Sequence, residues 1–101
     1  MFVIEAMNGP LDGKAWRFEQ RISIGRDASA VQAVVPTDRT ISRTHAEVCA
    51  DDAGVRLTDL GSSNGTFLEG RRIDGSVSIA VGQAFVVGRT MLRVMKHSDQ
   101  A

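Results

Sequence analysis

The sequence predicts an all-β domain, a sandwich or barrel of roughly ten short strands. Three observations carry that expectation. Apolar and polar residues alternate with a period of two, as in Arg21-Ile22-Ser23-Ile24, where both isoleucines point one way. Such runs recur roughly every eight to twelve residues, separated by Gly, Pro, Asn and Asp, the residues that turn a chain. Nowhere does an apolar stripe of helical period run long enough for a helix of several turns.

The strands follow in order. Phe2 to Met7 alternates and leads into the turn-formers Asn8-Gly9-Pro10-Leu11-Asp12-Gly13. Lys14 to Glu19 and Arg21 to Ile24 form the next two strands, joined at Gln20. Gly25 to Ala33 reads as a loop, since Ala28 to Ala33 offers at most one helical turn. A brief strand at Ala33-Val34-Val35 ends at Pro36, and Thr37 to Arg43 is polar and loop-like. Strands resume at Thr44 to Ala50, Val55 to Asp59, Thr66 to Leu68 and Ser76 to Ile79, with Glu69-Gly70 and Arg71-Arg72 in a hairpin between the last two. Gln83 to Val87 and Thr90 to Lys96 close the fold around a tight turn at Gly88-Arg89. Residues 97–101 are expected to be a flexible tail.

Composition narrows the function classes. The chain has 101 residues, 43% of them hydrophobic, enough for one globular domain with one core. Its 12 basic and 12 acidic residues cancel, so it lacks the basic excess of a nucleic-acid-binding domain. Any arginine chemistry must therefore act at a point. Cys49 is the only cysteine, which rules out an intrachain disulfide and a cysteine-based metal site and reads as a small buried hydrophobe. No apolar run approaches a membrane span, and the start lacks the basic and apolar regions of a signal peptide. The expectation is a cytoplasmic monomer with no cofactor, no metal and no membrane or nucleic-acid partner.

Three loop segments concentrate chemistry: Gly25-Arg26, Ser42-Arg43-Thr44-His45-Ala46 and Asp59-Leu60-Gly61-Ser62-Ser63-Asn64-Gly65-Thr66. Guanidinium groups supply charge and paired donors, hydroxyls supply adjustable donors, and glycine lets backbone come close. Together these groups suit a phosphate. On a sandwich, loops distant in sequence gather at one end, where a rigid scaffold holds them as a recognition surface.

The order Gly25-Arg26, Ser42-Arg43-Thr44-His45, Asn64-Gly65 resembles the forkhead-associated (FHA) domain family. Flanking residues match too: Ile24, Ala46, Asp59-Leu60-Gly61-Ser62, Thr66-Phe67 and Val81 to Gly88. The likeness runs from about Phe2 to about Met95. It implies an eleven-stranded, mainly antiparallel β-sandwich over residues 1–96, with apical loops that bind phosphothreonine peptides. It further implies that Arg26 and Ser42 hold the phosphate, that Arg43 and Ser63 add contacts, and that Asn64 hydrogen-bonds the peptide backbone. Gly25, His45 and Gly65 would support the loops, His45 as a brace that does not touch ligand. Thr40 and Arg39 lie in a loop that helps choose the residue after the phosphothreonine, without a clear charge or pocket code here.

Plainer readings stand beside these. Arg26 could be a solvated arginine after a turn, and Ser42 a hydroxyl capping its own loop. Arg43 could pair with Asp38 or Asp59, and Asn64-Gly65 alone is a hairpin turn. Ser42, His45 and Asp59 invite comparison with a catalytic triad, but no Gly-x-Ser-x-Gly elbow surrounds Ser42. Trp16 and Phe18 read as core or edge packing, and Arg71-Arg72 as a solvated turn. The alternative function is a phosphate-independent interaction domain that uses a sandwich face.

Overall fold

The computed structural model describes residues 1–97. It contains eleven strands: β1 (Phe2–Ala6), β2 (Ala15–Phe18), β3 (Arg21–Gly25), β4 (Ala33–Val34), β5 (Ala46–Asp51), β6 (Gly54–Asp59), β7 (Thr66–Leu68), β8 (Arg71–Arg72), β9 (Ser76–Ile79), β10 (Ala84–Val87) and β11 (Thr90–Lys96). They form a six-stranded sheet, in the order β2-β1-β11-β10-β7-β8, packed on a five-stranded sheet, β4-β3-β5-β6-β9. The β3–β4 pair is parallel and the remaining pairs are antiparallel.

Cross-strand register turns the period-two pattern into a core. Ile4 lies opposite Val94 and Ala6 opposite Leu92, so β1 and β11 send the same face inward. In the second sheet Ile22, Val48 and Leu57 align across β3, β5 and β6. These residues, with Ile24, Phe85 and Val87, are all but fully buried between the sheets. At about 25 cal/mol per Å² of apolar area removed from water, this layer is the main stabilising term of a domain this size. Phe18 joins the core, Trp16 packs half-buried against it, and Lys14 lies over the Trp16 ring at 5.7 Å.

Two features differ from expectation. Cys49 is not in the core: it sits half-buried on the outer face of β5, opposite Arg21 and Arg56. The alternation that buries Val48 and Ala50 turns the residue between them outward. Partial burial, then the neighbouring Glu47 carboxylate, push the thiol up from its ordinary range. The Arg71-Arg72 hairpin arm is a paired strand, too short to show a period of its own. It is reached through Glu69 and Gly70, both at positive φ (52° and 79°), as a type I′ turn requires.

His97, which the sequence assigned to the tail, donates its backbone N–H to the Met1 carbonyl at 2.9 Å. The rest of that tail, 98–101, lies outside the described residues. No helix among the described residues is long and apolar enough to cross a membrane.

Leu57→Ala should lower stability by about 2–5 kcal/mol, since it opens a cavity at the centre of the sandwich. Arg56→Ala, one residue along on the outer face, should change it by less than about 0.5 kcal/mol. Denaturant midpoints of the two variants check the contrast.

Candidate functional site

The loops after β3, between β4 and β5, and between β6 and β7 meet at one end of the sandwich. Gly25 makes the first junction possible. A Cβ on that residue would lie 2.0 Å from the Arg43 carbonyl oxygen, a separation no side chain tolerates. With that space clear, the Arg26 N–H donates to the carbonyls of both Ser42 and Arg43 at 3.1 Å. The Arg26 Nε–H then donates to the carbonyl of Ile41, the residue before Ser42, at 3.0 Å, which orients the guanidinium. Its Nη groups make no hydrogen bond within the described residues, and the side chain is exposed. Asp27 next to it is held below the ordinary carboxylate range by the Ser29 hydroxyl and amide, with Arg43 and Arg26 adding to the effect.

His45 ties the second loop to the third. It is fully buried. Its Nδ1 accepts the Ser42 backbone N–H at 3.0 Å and its Nε2 lies 2.9 Å from the Gly65 carbonyl. An amide can only donate, so Nδ1 is unprotonated and Nε2 carries the hydrogen given to Gly65. Both ring nitrogens are thus occupied by backbone groups. Neither reaches the Ser42 hydroxyl, and Asp59 does not touch the ring, so the Ser42, His45 and Asp59 side chains form no triad.

The Ser42 Oγ instead accepts the Ser63 N–H at 3.1 Å, which leaves its own hydrogen to be donated. Asn64 reaches across to the same loop, its Nδ2 donating to the Thr40 carbonyl at 2.8 Å. The side chains of Arg43 and Ser63 are exposed and make no hydrogen bond among the described residues. Neither Asp38 nor Asp59 pairs with Arg43. Arg26, Ser42, Ser63 and Asn64 are thus brought together, with Arg43 beside them.

Two aspartates organise the loops from within. Asp59 accepts from the Ser62 and Thr66 hydroxyls and from the Gly61 and Ser62 amides. Asp38 accepts from the Thr40 amide and hydroxyl on one oxygen, and from the Arg89 amide and Thr90 hydroxyl on the other. Burial by itself raises both carboxyls. The hydrogen bonds outweigh it and leave each below its usual range. Gly88 completes this support: at φ 58° it packs so closely on the loop that a Cβ would lie 2.5 Å from the Thr40 Oγ1. Beside Asp38 a groove of about 360 Å³ opens, lined by Pro10, Leu11, Val35, Thr37, Arg39 and Arg89.

Sequence reasoning missed three residues here. The Asp38-x-Thr40 spacing is a local turn signal, but its partners at Arg89 and Thr90 are about fifty residues away and carry no mark in the chain. Gly88 reads as a hairpin glycine without a hint that Thr40 rests on it. Arg72, expected in a solvated turn, folds over Gly65 and donates from Nη2 to the Ser62 carbonyl at 3.4 Å.

The model of the family described as "FHA domain" matches residues 22–88, which include Arg26, Ser42, Arg43, His45, Ser63 and Asn64. The chain belongs to the FHA-domain family. The FHA domain-containing protein FhaB of Mycobacterium tuberculosis is 30% identical over 76 residues, 75% of this chain and 48% of that protein. The chain therefore spans about half the length of the curated relatives it matches. Among solved structures, the FHA domain of CT664 from Chlamydia trachomatis superposes with a TM-score of 0.86 at 26% identity, covering 96% of this chain and 98% of that one. An FHA domain from a study of phosphothreonine-dependent FHA interactions gives 0.81 at 26%, covering 96% and 97%. The FhaA FHA domain, solved in complex with the intracellular domain of Rv3910, gives 0.79 at 25%, covering 93% and 99%.

Two outcomes test this account of how the FHA loops are held. His45→Ala strands a partly buried amide and a buried carbonyl at once, and should cost about 2–5 kcal/mol by chemical denaturation. The depressed Asp38 and Asp59 contribute stability that is fully present above an unfolded pKa of about 3.9 and is lost as pH falls through their lower folded values. Melting temperature should therefore hold down to about pH 4 and drop below it, and Asp38→Asn with Asp59→Asn should flatten that drop.

Proposed function

We propose that this FHA domain is a non-catalytic module that binds phosphothreonine-containing segments, either of a protein partner or of the longer protein to which it belongs. One observation carries the reading: the Arg26 guanidinium is aimed by the carbonyl of Ile41, and the next residue, Ser42, has a hydroxyl that accepts the Ser63 N–H and keeps its own hydrogen to donate. Both groups keep hydrogens to donate, which suits an anion rich in acceptor oxygens.

A phosphothreonine carries about −1.5 to −2 charges and three strong acceptor oxygens. Arg26 meets two of them through parallel N–H groups, and Ser42 donates to a third. Arg43 and Ser63 supply further donors at the rim, and Asn64 fixes the peptide backbone through the amide atoms its Thr40 bond leaves over. Gly25, His45 and Gly65 hold the loops in register. Each hydrogen bond to the charged group contributes about 1.5–3 kcal/mol. Two or three supply about 3–9 kcal/mol, so the peptide-backbone and flanking contacts must offset the cost of ordering a flexible peptide for binding to reach the micromolar range, about −8 kcal/mol.

Two relatives support this reading: one FHA domain belongs to a study of phosphothreonine-dependent FHA interactions, and the FhaA FHA domain is solved in complex with the intracellular domain of Rv3910. Binding without turnover is supported by His45, the ring closest to Ser42 in the loop, whose nitrogens are both taken by backbone. A cytoplasmic setting accords with an unpaired thiol.

Calorimetry tests the proposal directly. A phosphothreonine peptide should bind with micromolar affinity and its unphosphorylated form should not. Arg26→Ala should weaken binding at least about a hundredfold, the equivalent of losing two charge-assisted hydrogen bonds. Equal affinity for both peptides would refute the reading.

A further inference from the structure

Arg72 stands opposite Phe67 in the β7–β8 pair, and its side chain leaves the hairpin to lie across the turn that carries Asn64. A Cβ built on Gly65 would meet its Nε at 2.8 Å and its Cδ and Cζ at 3.1 Å, so the absence of a side chain at residue 65 is what lets the guanidinium settle there. One long hydrogen bond, Nη2 to the Ser62 carbonyl at 3.4 Å, is all that holds it. Among the described residues no carboxylate pairs with it. The carboxylate in the same turn, Asp59, is already filled by Ser62, Thr66 and Gly61. The salt bridge found among the described residues joins Arg93 and Glu5 on the outer face of the six-stranded sheet. Arg72 is exposed, and its remaining N–H groups have no hydrogen-bond acceptor among the described residues.

We propose that Arg72 reads a second anionic side chain in the ligand, a carboxylate flanking the phosphothreonine, and so sets which phosphothreonine segments this domain prefers. The inference rests on the proposed phosphothreonine site, because the flanking residue reaches Arg72 only when Asn64 holds the peptide backbone. A guanidinium presents paired, planar donors that match a carboxylate, and its place over a backbone turn keeps it oriented without a protein acid to compete. Tethering to the phosphate makes the second contact intramolecular, so a modest exposed ion pair becomes a measurable preference.

The test measures a ratio. In a phosphothreonine peptide, each flanking position in turn carries Asp, Asn or phosphoserine, and affinities are compared for the unsubstituted domain, Arg72→Gln, Arg72→Lys and Arg56→Gln. At one position near Asn64, Asp should bind about fivefold more tightly than Asn, and the preference should shrink as salt is raised. Arg72→Gln should bring that ratio to about one. Arg72→Lys should keep part of it, and Arg56→Gln, which removes the same charge from the outer face of the five-stranded sheet, should keep all of it. Two results would overturn the inference alone: phosphothreonine peptides that bind with no Asp preference anywhere, or a preference that survives Arg72→Gln. A preference for phosphoserine without one for Asp would also overturn it, since the site would then answer to phosphate and not to a carboxylate. Failure of every phosphorylated peptide to bind would remove the phosphothreonine reading and this inference together.

Discussion

The imidazole of His45 is the constraint on which the recognition end depends. The β4–β5 and β6–β7 loops spring from the paired ends of β5 and β6, where Ala46 lies opposite Asp59, but beyond that pair no ladder joins them, yet their tips must sit within hydrogen-bond reach of each other. One ring solves this by accepting from Ser42 and donating to Gly65. Full burial makes the solution stiff. Either backbone group, if released, would be stranded away from water at about 1–3 kcal/mol. The Ser63 amide then lands on the Ser42 hydroxyl as a second link between the same two loops. A single planar side chain thereby sets both the spacing of the loops and the direction in which Ser42 can donate.

The exposed groups are aimed by carbonyls, not by other side chains. Thr40 and Ile41 are consecutive, and their oxygens hold Asn64 and Arg26 respectively. Two contacts from widely separated parts of the chain therefore depend on the position of one dipeptide. That dipeptide is clamped from behind by Asp38, which ties Thr40 to Arg89 and Thr90, and by Gly88, whose missing side chain lets the hairpin touch Thr40 and Ile41. Rigid positioning of this kind lowers the ordering cost on binding, because the donors already stand where an anion needs them. The β10–β11 turn, far from Arg26 in sequence, is in this sense part of the site.

Much of this was legible in the chain, and the reason is physical. A half-buried strand must alternate, so β1, β3, β7, β9 and β11 could be read from residues such as Ile22 and Ile24 or Leu92 and Val94. The loop motifs were legible because a phosphate asks for a short menu of side chains. What escaped was set by neighbours distant in sequence. The signal for Cys49 is faint, since in the otherwise apolar run from Ala46 to Ala50 only Glu47, two residues before it, marks the outer face of β5. Nothing near Asp38 names Thr90, and nothing near Arg72 says that Gly65 leaves room for it. β8 has two residues, and a period of two needs more than one repeat to be seen.

Net neutrality and a cationic tip are compatible because the acidic residues near the site are spent internally. Asp38 and Asp59 each accept hydrogen bonds from loop amides and hydroxyls, which draws their oxygens into the scaffold and away from Arg26, Arg43 and Arg72. An ion pair between one of these carboxylates and a site arginine would neutralise the guanidinium and have to be broken before a ligand could enter. By taking hydroxyl and backbone partners instead, the aspartates stiffen the loops and stay ionised without competing for the same donors. Asp27, exposed and turned to Ser29, is the remaining carboxylate close enough to lower the potential, and it acts across solvent that screens it. The chain thus separates its two kinds of charge by function, with carboxylates building the loops and guanidinium groups left open to an incoming anion.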